Sequence, residues 1–177
     1  MSRAHLRLVK DCSKPCTETC NCGVNPDCAG PIEQEMQQHF SMQLDLCNQL
    51  EAIADALPQK IDRQKLLIIA RSILPTVKTA HRFEEDRIFP HIKLEAKEKQ
   101  ALNLSLERLQ YEHWEDESFA EELSDGLIRF VTDCDEPSAN TLGYMLRGFF
   151  EGLRRHIAFE VEYILPLLRH QELAIRK

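Results

Sequence analysis

The sequence predicts an all-α protein, an up-down-up-down antiparallel four-helix bundle preceded by an irregular, Cys-rich N-terminal arm. Three observations lead there. Apolar residues recur at spacings of three and four in four successive segments, no segment alternates with a period of two, and prolines and short polar stretches punctuate the segments. Four amphipathic helices with short connections pack as an antiparallel bundle. A chain of 177 residues is of single-domain size, divided here into an arm over residues 1–30 and a bundle over 31–177.

The arm carries Gly23, Pro15, Pro26 and Gly30 with no sustained period. Helix one is expected to start at Pro31, because a proline in the first helical position gives up no hydrogen bond. Its stripe reads His39, Met42, Leu46, Leu50, Ile53 and Leu57, and Pro58 closes it. Helix two is expected from Ile61–Asp62, with Leu66, Ala70, Ile73, Val77, His81, Glu85, Ile88 and Ile92 on one face. Pro75 falls inside it. The stripe keeps its phase across that proline, so a bend is expected rather than a break, with Pro90 marking the last turn.

Helix three shows Leu102, Leu106, Leu109, His113, Glu117, Ala120, Leu127 and Val131, and ends before the Asp133–Pro137 stretch. Ser138 is the expected N-cap of helix four, whose stripe is Leu142, Leu146, Phe149, Leu153, His156, Glu160, Tyr163 and Leu167. Gly143, Gly148 and Gly152 weaken that helix by about 1 kcal/mol each relative to alanine, which predicts close helix contacts there.

The histidines can be levelled with a helical ruler. Pro31 to His39 is 8 residues, Ile61 to His81 is 20, His113 to Asp133 is 20 and Ser138 to His156 is 18. In antiparallel helices these lengths put all four imidazoles about 12–15 Å from one end and roughly 27–30 Å from the other. The same ruler starts helix three near residues 103–105 and leaves 91–102 as a longer, partly helical connection.

A lone histidine on an apolar stripe is ordinarily a packed core residue. Four at one height are different, especially when His81 and His156 are each followed four residues later by a glutamate, Glu85 and Glu160, on the same face. An ionised carboxylate buried without partners costs several kcal/mol, so such groups are expected to be paired or bound to metal. Imidazole with carboxylate and no thiolate suits iron, manganese or zinc. Two carboxylates among four imidazoles suit two bridged ions, and two non-haem Fe ions are the first expectation, with Zn or Mn after them.

Composition narrows the partners. The net charge is −7, and no basic cluster or stripe appears, so neither nucleic acid nor an anionic membrane is an expected partner. No apolar run approaches the roughly 20 residues of a membrane span and the N-terminus lacks a signal-peptide pattern, so a cytoplasmic location is expected.

The ordered set His39, His81-x3-Glu85, His113, His156-x3-Glu160, with Phe89-Pro90 and Leu165-Pro166 closing the paired motifs, resembles the hemerythrin-like, or HHE cation-binding, proteins over about residues 31–170. The resemblance implies a di-iron bundle in which Glu85 and Glu160 bridge the irons and His39, His81, His113 and His156 ligate them terminally. It also implies chemistry with O2, NO or peroxide. One position departs from the oxygen carriers, which have a second histidine one turn after the third-helix ligand; here it is Glu117, a further candidate ligand. Spacings of 42, 32 and 43 between successive histidines, with Glu112 before His113, look closer to the iron-centre repair proteins of nitrosative stress. The arm, however, lacks their usual N-terminal domain and adjacent cysteine pair.

The arm supplies a second candidate element, Cys12, Cys16, Cys20, Cys22 and Cys28, in a spacing that matches no zinc pattern. A soft-metal or labile-cluster site, a thiol-disulfide redox element and an inert arm are its three readings, and a protein partner could dock through it. Cys47 reads as a small core residue. Tyr163 reads as a core aromatic, or as a hydrogen-bond partner of the bridging carboxylate. Trp114 reads as packing between helices or at the surface, and His5, His91 and His170 as solvent or helix-end residues. Two function classes follow. One is binding or sensing of O2, NO or a related oxidant at a bundle-core iron centre. The other is iron storage, donation or iron-sulfur repair involving the arm, beside which stands a Cys-based redox regulatory module.

Overall fold

A computed structural model describes residues 30–59, 62–95, 100–132 and 137–168. The cysteines of the arm, Cys134, His5 and His170 lie outside the described residues, as does the connection at 96–99. Among the described residues the chain is helical, with no strand: α1 is Pro31–Ala56, α2 Arg63–Phe83, α3 Phe89–Glu95, α4 Gln100–Thr132 and α5 Ala139–Phe159. A π-helical turn, Glu84–Ile88, joins α2 to α3, and another, Glu160–Ile164, extends α5. The principal packing pairs are α1 with α2, α2 with α4, α4 with α5 and α5 with α1, which closes a four-cornered ring.

Local chemistry explains the ends. Pro31 opens α1 as expected. Asp62 caps α2, its carboxylate accepting from the Gln64 and Lys65 amides at 3.0 and 3.1 Å. Ser138 caps α5 by accepting from the Thr141 amide at 3.2 Å. Caps of this kind contribute about 1 kcal/mol each. α2 runs unbroken through Pro75, which is exposed.

Pro90 does not end its helix, because the chain stays helical to Glu95. The preceding π-turn supplies the reason. Phe89 donates its amide to Glu84 O, one residue further back than an α-helix would allow, and Leu165 does the same to Glu160 O. A proline ring clashes with the carbonyl four residues earlier, and a widened turn immediately before Pro90 and Pro166 makes room for it. The extra residue per turn also shifts the phase beyond it. Leu168, not Leu167, is the fully buried residue at the end of α5.

The core is aliphatic and aromatic along the whole ring, from Leu50, Leu66, Leu127 and Leu142 at one end to Ile88, Phe89, Ile92 and Leu168 at the other. Cys47 is buried as a small core residue; its thiol donates to Phe150 O at 3.7 Å, and burial pushes it up to about 11. Gly148 lies beside the Phe119 ring, but an added Cβ would meet it at 3.5 Å, an ordinary contact. The close approach expected from that glycine is therefore not required by sterics.

Candidate metal centre

Among the described residues seven polar or charged ones are buried, and five of them meet: His81 and Glu84 from the α2 rod, His113 from α4, His156 and Glu160 from the α5 rod. Ligand atoms of His81, His113 and His156 lie within 4.8 Å of one another, and so do those of Glu84, His113, His156 and Glu160. The His81 and His113 rings stack with centroids 4.0 Å apart, and His156 tilts against both at 5.6 and 5.1 Å. Phe89 stacks on the far side of His113 at 5.6 Å.

The expected carboxylate on α2 was Glu85, and the structure puts its neighbour inside instead. The Glu84 side chain is 0% exposed and that of Glu85 36%. At 100° per residue Glu84 falls roughly 20° from Val77, the centre of the buried stripe, whereas Glu85 falls about 80° away. Glu160 stands in the same relation to Leu153, seven residues back. That heptad spacing, and the shared Glu-x3-Ile-x-Pro frame of residues 84–90 and 160–166, are the sequence signals that could have found Glu84.

Glu85 has a different place. It lies outside the ring, where its Oε1 accepts from His113 Nδ1 at 2.8 Å. Glu117, the candidate extra ligand, likewise faces away from the cluster and toward His81 Nδ1, 3.3 Å off. Asp116, which sequence reasoning passed over, sits 3.6 Å from His156 Nδ1. Each of the three imidazoles therefore has a carboxylate on its Nδ1 side. A Nδ1–H donated outward leaves the Nε2 lone pair facing inward, the arrangement that orients and strengthens a metal-binding histidine.

The inner atoms are left without partners. His81 Nε2, His113 Nε2, His156 Nε2 and both oxygens of Glu84 and of Glu160 are buried and make no hydrogen bond. His113 Nε2 and Glu84 Oε2 do lie 3.1 Å apart, but not in hydrogen-bond geometry. Burial first, and then the neighbouring Glu160, pushes the Glu84 carboxyl up to about 8; burial, with Asp116 nearby, pushes Glu160 to about 8 as well. Burial and the two neighbouring imidazoles depress His81 to about 2. Orphaned ligand atoms of this number, gathered in one place, are costly unless a cation collects them. Imidazole nitrogens and carboxylate oxygens without thiolate form a suitable donor set for iron, manganese or zinc, so the residues present fit a metal.

His39 is not among the converged groups. Its ring rests against Phe83 with centroids 4.7 Å apart, and burial lowers its basicity; its Nδ1 is nonetheless buried without a partner. Tyr163 is not a core residue. It is 53% exposed and leans on Phe159 at 4.8 Å, because the π-turn brings Ile164 back beneath Glu160 in its place. Trp114 is exposed at the surface beside Tyr111. His91 is half-buried with an unpartnered Nε2. The open clefts of the bundle lie at its other end, around Asn48, Lys65 and Ile69 and around Leu57 and Arg147, away from these groups. No helix of the described residues is long and apolar enough to cross a membrane.

Comparison with known proteins agrees with this geometry. The family model of the hemerythrin HHE cation binding domain matches residues 31–168. Searches of curated proteins and of solved structures return no match. A match over nearly all of the bundle, together with a buried cluster of three imidazoles and two carboxylates, identifies the chain as a member of the hemerythrin HHE cation-binding domain family.

Proposed function

We propose that this bundle holds two non-haem iron ions and binds or senses a small oxidant, O2 or NO. The observation that carries the reading is the facing pair Glu84 and Glu160, whose four carboxylate oxygens are buried, unpartnered and flanked by three inward imidazole nitrogens. In this reading Glu84, Glu160, His81, His113 and His156 would hold the ions. His39, which lies outside the converged groups but has a ring nitrogen buried and unpaired, would be the further ligand from α1. Iron in such a site supplies reversible one-electron chemistry toward diatomic ligands. The protein's own residues hold the ring tautomers through Glu85, Glu117 and Asp116, and they exclude water with Phe83, Phe89, Ile88 and Ile164.

Glu117 favours sensing or iron chemistry over oxygen carriage. It stands where the carriers have a further histidine, and its contact with His81 Nδ1 gives it an outer, orienting role. A second reading, iron donation or repair, is favoured by where the arm joins. Gly30 and Pro31 lie at the end of the bundle that holds the π-turns, as the 2.6 Å pair of Glu35 with Arg87 fixes. Residues 1–29, with five cysteines, thus attach at the end nearer the metal-binding cluster.

Metal analysis of protein expressed anaerobically in iron-rich medium, with an optical spectrum after oxidation, tests the first reading. It predicts about two irons per chain and a charge-transfer band that azide perturbs. Protein that carries zinc and rejects iron under those conditions contradicts it.

A further inference from the structure

Two side chains of α1, His39 and Gln43, carry buried polar atoms without a hydrogen-bond partner, and only His39 has a role in the metal reading. Gln43 is 1% exposed, and both its Oε1 and its Nε2 are buried without a partner. It occupies the innermost line of α1, between Met36 and Leu50, each 0% exposed and seven residues away on either side. A primary amide in that position forgoes all its hydrogen bonds to water, a loss that packing alone does not justify.

The register places it at the height of the cluster from two sides. Against α2, Glu35 pairs with Arg87 at 2.6 Å and His39 rests on Phe83, so four residues along α1 match four residues back along the α2 rod. Four more bring Gln43 level with Thr79. His81 therefore lies only two residues, about 3 Å, from the height of Gln43. Against α5, the Cys47 thiol reaches Phe150 O, so Gln43 is level with Arg154, and His156 is again two residues, about 3 Å, away. His81 Nε2 and His156 Nε2 are among the unpartnered atoms.

We propose that the Gln43 carboxamide is a ligand-binding group of this centre, its Nε2–H donating to a small ligand that carries a hydrogen-bond acceptor and is held at the metal. This inference rests on the metal reading above. α2, α4 and α5 bring the converged imidazoles and carboxylates, and α1, besides His39, places a neutral donor at their height. A neutral amide suits that duty because it can hydrogen-bond a small anionic or oxygen-derived ligand without competing for the metal as a carboxylate or imidazole would. The buried amide is left unpaired until such a ligand arrives, which is how a polar site discriminates against an apolar occupant.

The test uses azide as the probe and Gln43→Met, which keeps length and helix propensity and removes the amide. In iron-loaded protein the variant is expected to keep its metal content and bind azide about tenfold more weakly, the loss of one hydrogen bond of roughly 1.4 kcal/mol. In metal-free protein it is expected to raise Tm by about 2–4 °C, since an unsatisfied amide gives way to an apolar side chain. Unchanged azide affinity at unchanged metal content overturns the proposal, as does a fall in Tm of the metal-free variant, which would mean that the amide is satisfied within the protein. Wild-type chain that takes up no metal at all refutes the metal reading separately, and the metal-free Tm still judges Gln43.

Discussion

Along α2 the histidine stands three residues before the buried glutamate, His81 to Glu84; along α5 it stands four before, His156 to Glu160. Downstream the two rods share one frame. Each glutamate opens a five-residue π-turn that ends at an isoleucine, Ile88 or Ile164, and each turn is followed by an apolar residue and a proline. Ala80, fully buried, therefore occupies on α2 the place that His156 occupies on α5. The carboxylate is tied to the π-turn and the proline, while the imidazole can slide by one residue and still reach the cluster. A pattern anchored on the histidine and counted forward by four reaches the buried Glu160 on α5 but the half-exposed Glu85 beside the buried Glu84 on α2.

The outer carboxylates sharpen the comparison. Glu85 serves His113, Glu117 serves His81 and Asp116 serves His156, at 2.8, 3.3 and 3.6 Å from Nδ1. If these groups orient the rings, Glu85→Gln, Glu117→Gln and Asp116→Asn should each weaken metal affinity by about 10- to 100-fold without abolishing it. Competition with a chelator of known affinity measures this. The closest pair, Glu85 with His113, is expected to show the largest loss and Asp116 with His156 the smallest. No loss in any of the three would remove the orienting role.

A smaller effect is expected in the stability of the metal-free protein. Glu84 and Glu160 are raised from 4.5 to about 8 by burial, so the folded chain keeps protons there that the unfolded chain has released. Their contribution to stability is complete below the ordinary carboxylate range and is lost as the pH rises toward 8. His81, lowered from 6.5 to about 2, acts in the opposite sense, and its contribution is lost only as the pH falls below 6.5. Between pH 6.5 and 8 the carboxyls alone act. The denaturation midpoint of metal-free protein should fall across that window, and metal-loaded protein, in which both carboxylates are ionised against cations, should not show the fall.

Most of the fold was legible in the sequence, because it rests on local rules. Pro31, Asp62 and Ser138 start helices where their chemistry says they should, and the apolar stripes close the bundle. The existence of a buried histidine-carboxylate centre was legible too, since His81, His113, His156 and Glu160 all fall on those stripes. What escaped was a change of period. A π-turn adds a residue within a helix, so a stripe drawn at 3.6 residues per turn places Tyr163 and Leu167 inward, whereas Ile164 and Leu168 are the buried residues. His39, expected among the ligands, rests against Phe83 outside the converged groups, and spacing alone does not say which way a position on α1 faces. Gln43, a residue type with no metal motif, left no signal beyond its heptad relation to Met36 and Leu50.

The central claim is that Glu84, and not Glu85, pairs with Glu160 to hold the metal. Iron content per chain of Glu84→Gln beside Glu85→Gln, both reconstituted under the same anaerobic conditions at saturating iron, tests it directly. The account predicts that Glu84→Gln loses most of its metal and that Glu85→Gln fills at saturation like the wild type. Full occupancy in Glu84→Gln with loss in Glu85→Gln would contradict it.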